Sequence, residues 1–375
     1  MQRKLFVIIC FQEYATANHK DLWNIMADTS DDLFVILNIP ADYVVSNIKK
    51  SLRYRISDAR KGLVKLKENL FLGRPMFFLR HELAPNFLYK FYKKSIWKWL
   101  RKNVEGVDEM EVDFIYYDPI WASILRGSRN NIKMGYYLVD EVRKYAHNDK
   151  DNAKKVKLDD IASSTADAIF TASQDLAESR LKVNKNVYFT GNGADLSIAI
   201  RYKDVEPLDN SVAFIGNFRN WIDKELMETI ISKRPDVDFY FVGTVENDMN
   251  NFFTYLLDKY DNTFFFGKTS KERVGYVYKR FRMMFIPYYQ NHFIWASRPL
   301  KIIESVMAGT PAVTVPVSGY NEHSFLKFAR NFQEFSDAID YFLKNGIDKQ
   351  SDEYQSFCSK YSWQNIAKTI IEKLK

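Results

Sequence analysis

Short apolar runs alternate with longer stretches in which apolar residues recur every three or four positions, and this rhythm persists through all 375 residues. Apolar runs bounded by Gly, Asp or Pro predict buried strands, and the longer recurrence predicts amphipathic helices. The strands expected are Leu5–Cys10, Leu33–Leu37, Met76–Leu79, Phe114–Tyr116, Met134–Val139, Ala168–Thr171 and Val187–Thr190. After the connection "TGNGADLSIAIRYKDVEPLDN" the pattern restarts with Ser211–Ile215, Phe239–Val242, Thr263–Phe266, Met283–Ile286 and Ala312–Val315. Strands that are apolar throughout belong to parallel sheets covered by helices on both faces. The pattern therefore predicts an α/β protein of two similar halves joined near residue 200, with no repeat at solenoid spacing and no low-complexity segment.

With 46% hydrophobic and 27% charged residues, the chain has the composition of a globular protein with a sizeable core and about two domains. It carries 54 Lys and Arg against 47 Asp and Glu, a net charge of +7 that favours an anionic partner: nucleic acid, a phosphorylated ligand or an acidic membrane surface. Cys10 and Cys358 stand at opposite ends, without disulfide or metal-ligand spacing, which fits a reducing, cytoplasmic setting. The opening "MQRKLFVIICFQEY" places basic residues before an apolar run, but the run is too short for a signal peptide and reads as a first strand. No apolar stretch approaches the roughly 20 residues that span a bilayer.

Chemistry concentrates in the second half, where "FIGNF", "FVGTV" and "FFFGK" each turn sharply at a glycine after a strand. In an open parallel sheet ligands bind outside the carboxyl ends of the strands, where glycine lets backbone approach closely. Gly216, Asn217 and Lys268 lie at these turns and are candidate nucleotide-binding residues. The stretch "RPLKIIESVMAGTPAV" predicts a helix with Ser297 as its cap, Pro299 in its first turn and an end at Gly309. Backbone N–H groups at its start favour an anion, and Arg298 and Lys301 flank that end. A diphosphate fits there, and Glu304, one turn deeper, is placed to accept hydrogen bonds from ribose hydroxyls. The competing reading is a surface helix with a solvated Lys301/Glu304 pair.

The same stretch resembles the "PLK(L/I)xEYLAAGKPVV" segment of GT-B glycosyltransferases, in the broad glycogen-synthase-like family 4 and its neighbours. The surrounding order is similar too. "DAIFTASQDLAES" and "VYFTGNGADLS" look like the family's interdomain junction, "VAFIGNFRNWIDKELMETIISKRPDVDFYFVGTV" like the start of its donor domain, and "YSWQNIAKTII" like its closing helix. Family 4 enzymes commonly carry two glutamates with seven residues between them; the second matches Glu304, while the first position is Ala296. A segment of that kind is closer to the teichuronic-acid-type transferases and to the xanthan glucuronosyltransferase, which inverts.

The resemblance implies two Rossmann-like domains facing a cleft: residues 1–195 for the acceptor, 196–355 for a nucleoside diphosphate sugar (UDP- or GDP-linked), and a C-terminal helix in 356–375 packing back toward the first domain. It implies Lys301 on the diphosphate, Glu304 on the ribose, and no cofactor. For an inverting reaction it also implies a base on the first domain. "MGYYLVDEVRKY" presents Asp140 and Glu141 at the end of an apolar strand, and "FIYYDPIW" presents Asp118 likewise. Asp140 leads, with Glu141 and Asp118 as alternatives; each also reads as a turn or cap acid.

No metal site is expected, because Arg298, Lys301 and the helix start supply the positive charge and the five histidines lack ligand spacing. Asp-x-Asp occurs at "DKD" (149–151) and "DVD" (236–238), and the latter resembles a structural segment of the family. "KFYKKSIWKWLRK" predicts a basic, aromatic helix whose Lys93, Lys94, Trp97 and Trp99 suit either a membrane or acceptor surface on the inner face of the cell membrane, or plain packing on the first sheet. The family points to a lipid-linked glycan acceptor in bacterial surface polysaccharide synthesis. The alternatives are a nucleic-acid-binding protein and an inactive GT-B scaffold.

Overall fold

A computed structural model describes residues 3–10, 14, 17, 19–39, 62–75, 86–128, 132–139, 141, 149–197, 201–270, 273–291, 294, 295 and 298–375, with backbone only at 149–152. The chain divides into two compact units, Met1–Gly191 with Ile366–Lys375, and Asn192–Asn365.

The first unit is built on one sheet of β1 (Leu5–Cys10), β2 (Leu33–Asn38), β3 (Leu63–Lys65), β4 (Leu70–Gly73), β5 (Val112–Tyr116), β6 (Met134–Leu138), β7 (Ala168–Thr171) and β8 (Val187–Phe189). The spatial order is β3-β4-β2-β1-β5-β6-β7-β8, parallel except where β3 runs against β4. All six residues of β1 are buried, as an apolar central strand covered on both faces requires. The end of the chain returns to this unit: Lys4 donates to the Leu374 carbonyl at 3.0 Å and pairs with buried Asp113 at 2.6 Å.

The second unit holds β9 (Leu208–Ile215), β10 (Asp238–Val242), β11 (Thr263–Phe265), β12 (Phe281–Ile286), β13 (Ala312–Thr314) and β14 (Leu326–Phe328), in the order β11-β10-β9-β12-β13-β14. Every pairing is parallel. Strands one to three of this unit run out to one side and four to six to the other, so the order reverses between β9 and β12, where a doubly wound sheet takes its ligand.

Sequence and structure agree closely on the long apolar strands. They differ at the β3–β4 hairpin and at β14, which the pattern did not reveal because each is a three- or four-residue strand set among polar residues. The strand expected at 76–79 lies outside the described residues.

Candidate functional site

The helix that follows β12 runs from Leu300 to Ala308 and ends at Gly309 in the left-handed conformation, φ 87°. Pro299 stands one place outside the helix, as its N-cap, and no side chain among the described residues caps it. Its apolar stripe, Ile302, Ile303, Val306 and Met307, is fully buried on the sheet, each side chain contributing about 1.5–3 kcal/mol. That burial fixes the helix's rotation, so that Lys301 and Glu304 share the other, half-buried face.

Lys301 lies at the point where the strand order reverses. Its Nζ sits 4.1 Å from the ring centre of Phe214, at the end of β9, and 5.3 Å from that of Tyr288, just after β12. Gly216 makes room for it: a Cβ built there would fall 2.6 Å from that Nζ, and the φ of 138° suits glycine alone. Gly243, at the end of β10, is pressed against Gly216 so closely that a Cβ would collide with its carbonyl. Beside them Asn217 accepts a hydrogen bond from the Thr244 hydroxyl at 2.7 Å, and Lys268 is exposed.

Glu304 is held from below. The phenol of buried Tyr278 donates to its Oε2 at 3.0 Å, and burial, reinforced by that carboxylate's charge, pushes the phenol's ionisation well above its usual value. Arg298 departs from the simple picture of a free anion-binding arginine. It is 9% exposed, and its guanidinium lies under Gly319 and against the Tyr320 ring at 5.6 Å, bracing the turn after β13. Asn192 donates to the Arg298 carbonyl at 3.1 Å, steadying the entry to the helix. Ser297 is outside the described residues.

In the first unit, the carboxyl ends of the strands bring together a different set. His19 packs 5.2 Å from Tyr117 and 5.1 Å from Tyr137 between ring centres, and Trp23 donates to the Tyr117 hydroxyl at 2.9 Å. Asp118 accepts from the Ile120 amide at 3.0 Å, at the start of the helix Ile120–Leu125. Glu141 pairs with Arg180 at 3.0 Å, and the same buried guanidinium binds Asp159 at 2.8 Å, which also accepts from Tyr136 at 2.9 Å. Asp140 lies outside the described residues, as do His81, His147 and His292.

Asp236 is clamped by Arg234, with oxygens 3.0 and 2.8 Å from its nitrogens, and Arg234 also reaches Asp340 at 2.7 Å. The "DVD" segment is thereby occupied in fastening the end of one helix to another. Among the described residues no group of three or more His, Cys, Asp or Glu side chains is placed to hold a metal ion, and no helix is long and apolar enough to cross a membrane.

The basic stretch forms the helix Tyr89–Asn103. Trp97 is 5% exposed and meets Phe114 edge-on at 5.8 Å, so its indole belongs to the core and not to a boundary with lipid. Trp99 is half-buried against Gly73, and Lys93 donates to the carbonyls of Arg126 and Gly127 at 2.8 and 3.2 Å. The exposed face includes instead Lys90, Phe91, Lys94, Lys98, Arg101 and Lys102, with exposed Phe87 just before the helix. Sequence periodicity alone did not separate the two faces, because aromatics and lysines occur on both.

Residues 209–345 match the family model described as glycosyl transferases group 1. No curated protein sequence matches the chain. Among solved structures it is similar to HepE of Anabaena in complex with UDP, at 14% identity, 99% of both chains and a TM-score of 0.59. It is also similar to TarM, at 13% identity, 100% of this chain, 99% of that one and a TM-score of 0.63. TarM of S. aureus has also been described with fondaparinux, alpha-GlcNAc-glycerol and UDP. OtsA, a trehalose-6-phosphate synthase, matches at 11% identity over 99% of both chains with a TM-score of 0.65. The fold is GT-B: two α/β units with parallel sheets, the second carrying the group 1 glycosyl transferase match.

Proposed function

We propose that this chain is a glycosyltransferase that moves a sugar from a nucleoside diphosphate sugar to a glycan acceptor. The observation that carries the reading is the ammonium of Lys301 at the strand reversal, 4.1 Å from the Phe214 ring and abutting Gly216, with Glu304 one turn further on. A cation set on aromatic faces at a helix start, where two strand ends open, suits a diphosphate. A carboxylate 3 residues along the same face suits the ribose. Uridine diphosphate is the nucleotide favoured, since the HepE and TarM structures contain it. The family match supports transfer chemistry and lends nothing to a nucleic-acid-binding role.

In the reaction an acceptor hydroxyl attacks the anomeric carbon. The bond to the β-phosphate oxygen breaks, the nucleoside diphosphate leaves with the electron pair, and the hydroxyl proton passes to a carboxylate. Lys301 and the helix start stabilise the charge that develops on the leaving group, so no metal is needed for it. The purified chain should release nucleoside diphosphate from one member of a panel of UDP- and GDP-sugars when an acceptor glycan is supplied, at an undiminished rate in EDTA. Activity lost in EDTA and restored by Mg²⁺ or Mn²⁺ would contradict the metal-independent mechanism; no release from any donor would contradict the assignment.

The acceptor belongs to a bacterial surface polysaccharide and is carried on a lipid, in keeping with the family 4-like segment of "RPLKIIESVMAGTPAV". The face formed by Phe87, 77% exposed, Phe91, 47% exposed, and Lys90, Lys94, Lys98 and Lys102 supports peripheral attachment to an anionic, cytoplasmic membrane face. Each lysine contributes about 1 kcal/mol near such a surface, while the two aromatics insert beside them. The protein should sediment with phosphatidylglycerol vesicles and not with phosphatidylcholine vesicles. High salt should release it, and so should Lys94→Glu combined with Lys98→Glu. Equal sedimentation of that variant, or none of the parent, would favour a soluble acceptor.

A further inference from the structure

Tyr278 is the last-but-one residue of the short helix Val274–Lys279, which leads into β12, and it is 2% exposed. Two of its groups reach the Leu300–Ala308 helix region. Its phenol donates to Glu304 Oε2 at 3.0 Å, and its carbonyl accepts from the Thr310 hydroxyl at 2.8 Å. The second contact and the buried ring join the same two segments without involving the phenolic oxygen. Phenylalanine would fill the same space and keep the backbone contact, so among the described residues the change removes the phenol's bond to Glu304. A buried phenol has one proton to give, and here it goes to a carboxylate, the stronger kind of neutral-to-charged hydrogen bond. Glutamate has three rotatable bonds; anchoring one oxygen from the core side sets the plane of the carboxylate on its half-buried side.

We propose that Tyr278 is a positioning residue that holds the Glu304 carboxylate in the orientation that receives the ribose hydroxyls, and so sets the preference for a ribonucleotide over a deoxyribonucleotide. This rests on the assignment of Glu304 to the ribose given above. The anion end of the site, at Lys301, is served by different groups and does not depend on the phenol.

The test is calorimetric titration of Tyr278→Phe, Glu304→Gln and their double variant with UDP, 2′-deoxy-UDP and inorganic pyrophosphate, with melting temperatures recorded. Tyr278→Phe is expected to bind UDP about tenfold more weakly and 2′-deoxy-UDP, which keeps its 3′-hydroxyl, by a smaller factor, while pyrophosphate stays within about twofold of the parent. The double variant should lose less than the product of the single losses, because both act on one contact. Glu304→Asp, which draws the carboxylate away from the phenol, should reproduce the ligand pattern by an independent route. Equal weakening of all three ligands would show a merely structural tyrosine and overturn the proposal. So would an unchanged UDP affinity in Tyr278→Phe beside a clear loss in Glu304→Gln, which leaves the ribose assignment standing. An unchanged affinity in Glu304→Gln would overturn that assignment itself and the positioning role with it.

Discussion

Replacing Lys301 with alanine should weaken the binding of uridine diphosphate by about ten- to a hundredfold, the largest effect expected of any single change in the second unit. A charge-assisted contact to phosphate is worth about 1.5–3 kcal/mol, and each 1.4 kcal/mol is a factor of ten in affinity. The expected loss is at the upper end for a physical reason. Among the described residues no carboxylate pairs with Lys301; its ammonium rests on Phe214 and Tyr288 and is ready for an anion. The substitution removes no fully buried apolar side chain and should lower the melting temperature only slightly, through the lost contacts with Phe214 and Tyr288. Glu304→Ala should cost about tenfold, through the ribose. Unaltered affinity in both variants, with folding intact, would remove the donor site from the Leu300–Ala308 helix.

The second large effect is expected on turnover. Asp140→Asn should lower kcat by about 10² or more while UDP binding stays near normal, as for a base that acts only on the acceptor proton. The case for Asp140 is positional: β6 ends at Leu138, two residues before it, at the carboxyl edge of the first sheet. Its two rivals have other work. Glu141 is engaged by the Arg180 guanidinium at 3.0 Å, and Asp118 by the Ile120 amide at 3.0 Å. The assignment belongs to an inverting reaction, so proton NMR of the product should show an inverted anomeric configuration. Turnover retained in Asp140→Asn, or a product of retained configuration, would remove Asp140 from the chemistry.

The contrast between Lys301 and Tyr278 shows how much of the site was legible in the sequence. Lys301 and Glu304 announce themselves because helical spacing puts them on one face, while Pro299 and Gly309 bound the helix. Gly216 and Gly243 announce themselves because each follows an apolar strand, and only glycine tolerates the φ angles of 138° and 151° found there. Tyr278 has no such sign. It is 26 residues from Glu304 in the chain, in a helix of six, and meets it only through the packing of two helices. Arg298 shows the opposite limit: its place at the helix start is evident, but its rotation under Gly319 is a tertiary choice that no spacing encodes. Trp97 is a third kind of case. In a helix rich in both Lys and aromatics, only the sheet it packs on decides which aromatic is core, and Phe114 of β5 makes that decision.

Titration of the full chain with UDP and GDP, read by melting temperature, tests the nucleotide site in the second unit most directly. One of them should bind saturably, with the melting temperature rising as the logarithm of ligand concentration once the site is filled. The rise should be strongly reduced in Lys301→Ala. A flat melting temperature with both nucleotides up to millimolar concentration, or an equal rise in parent and Lys301→Ala, would contradict that site.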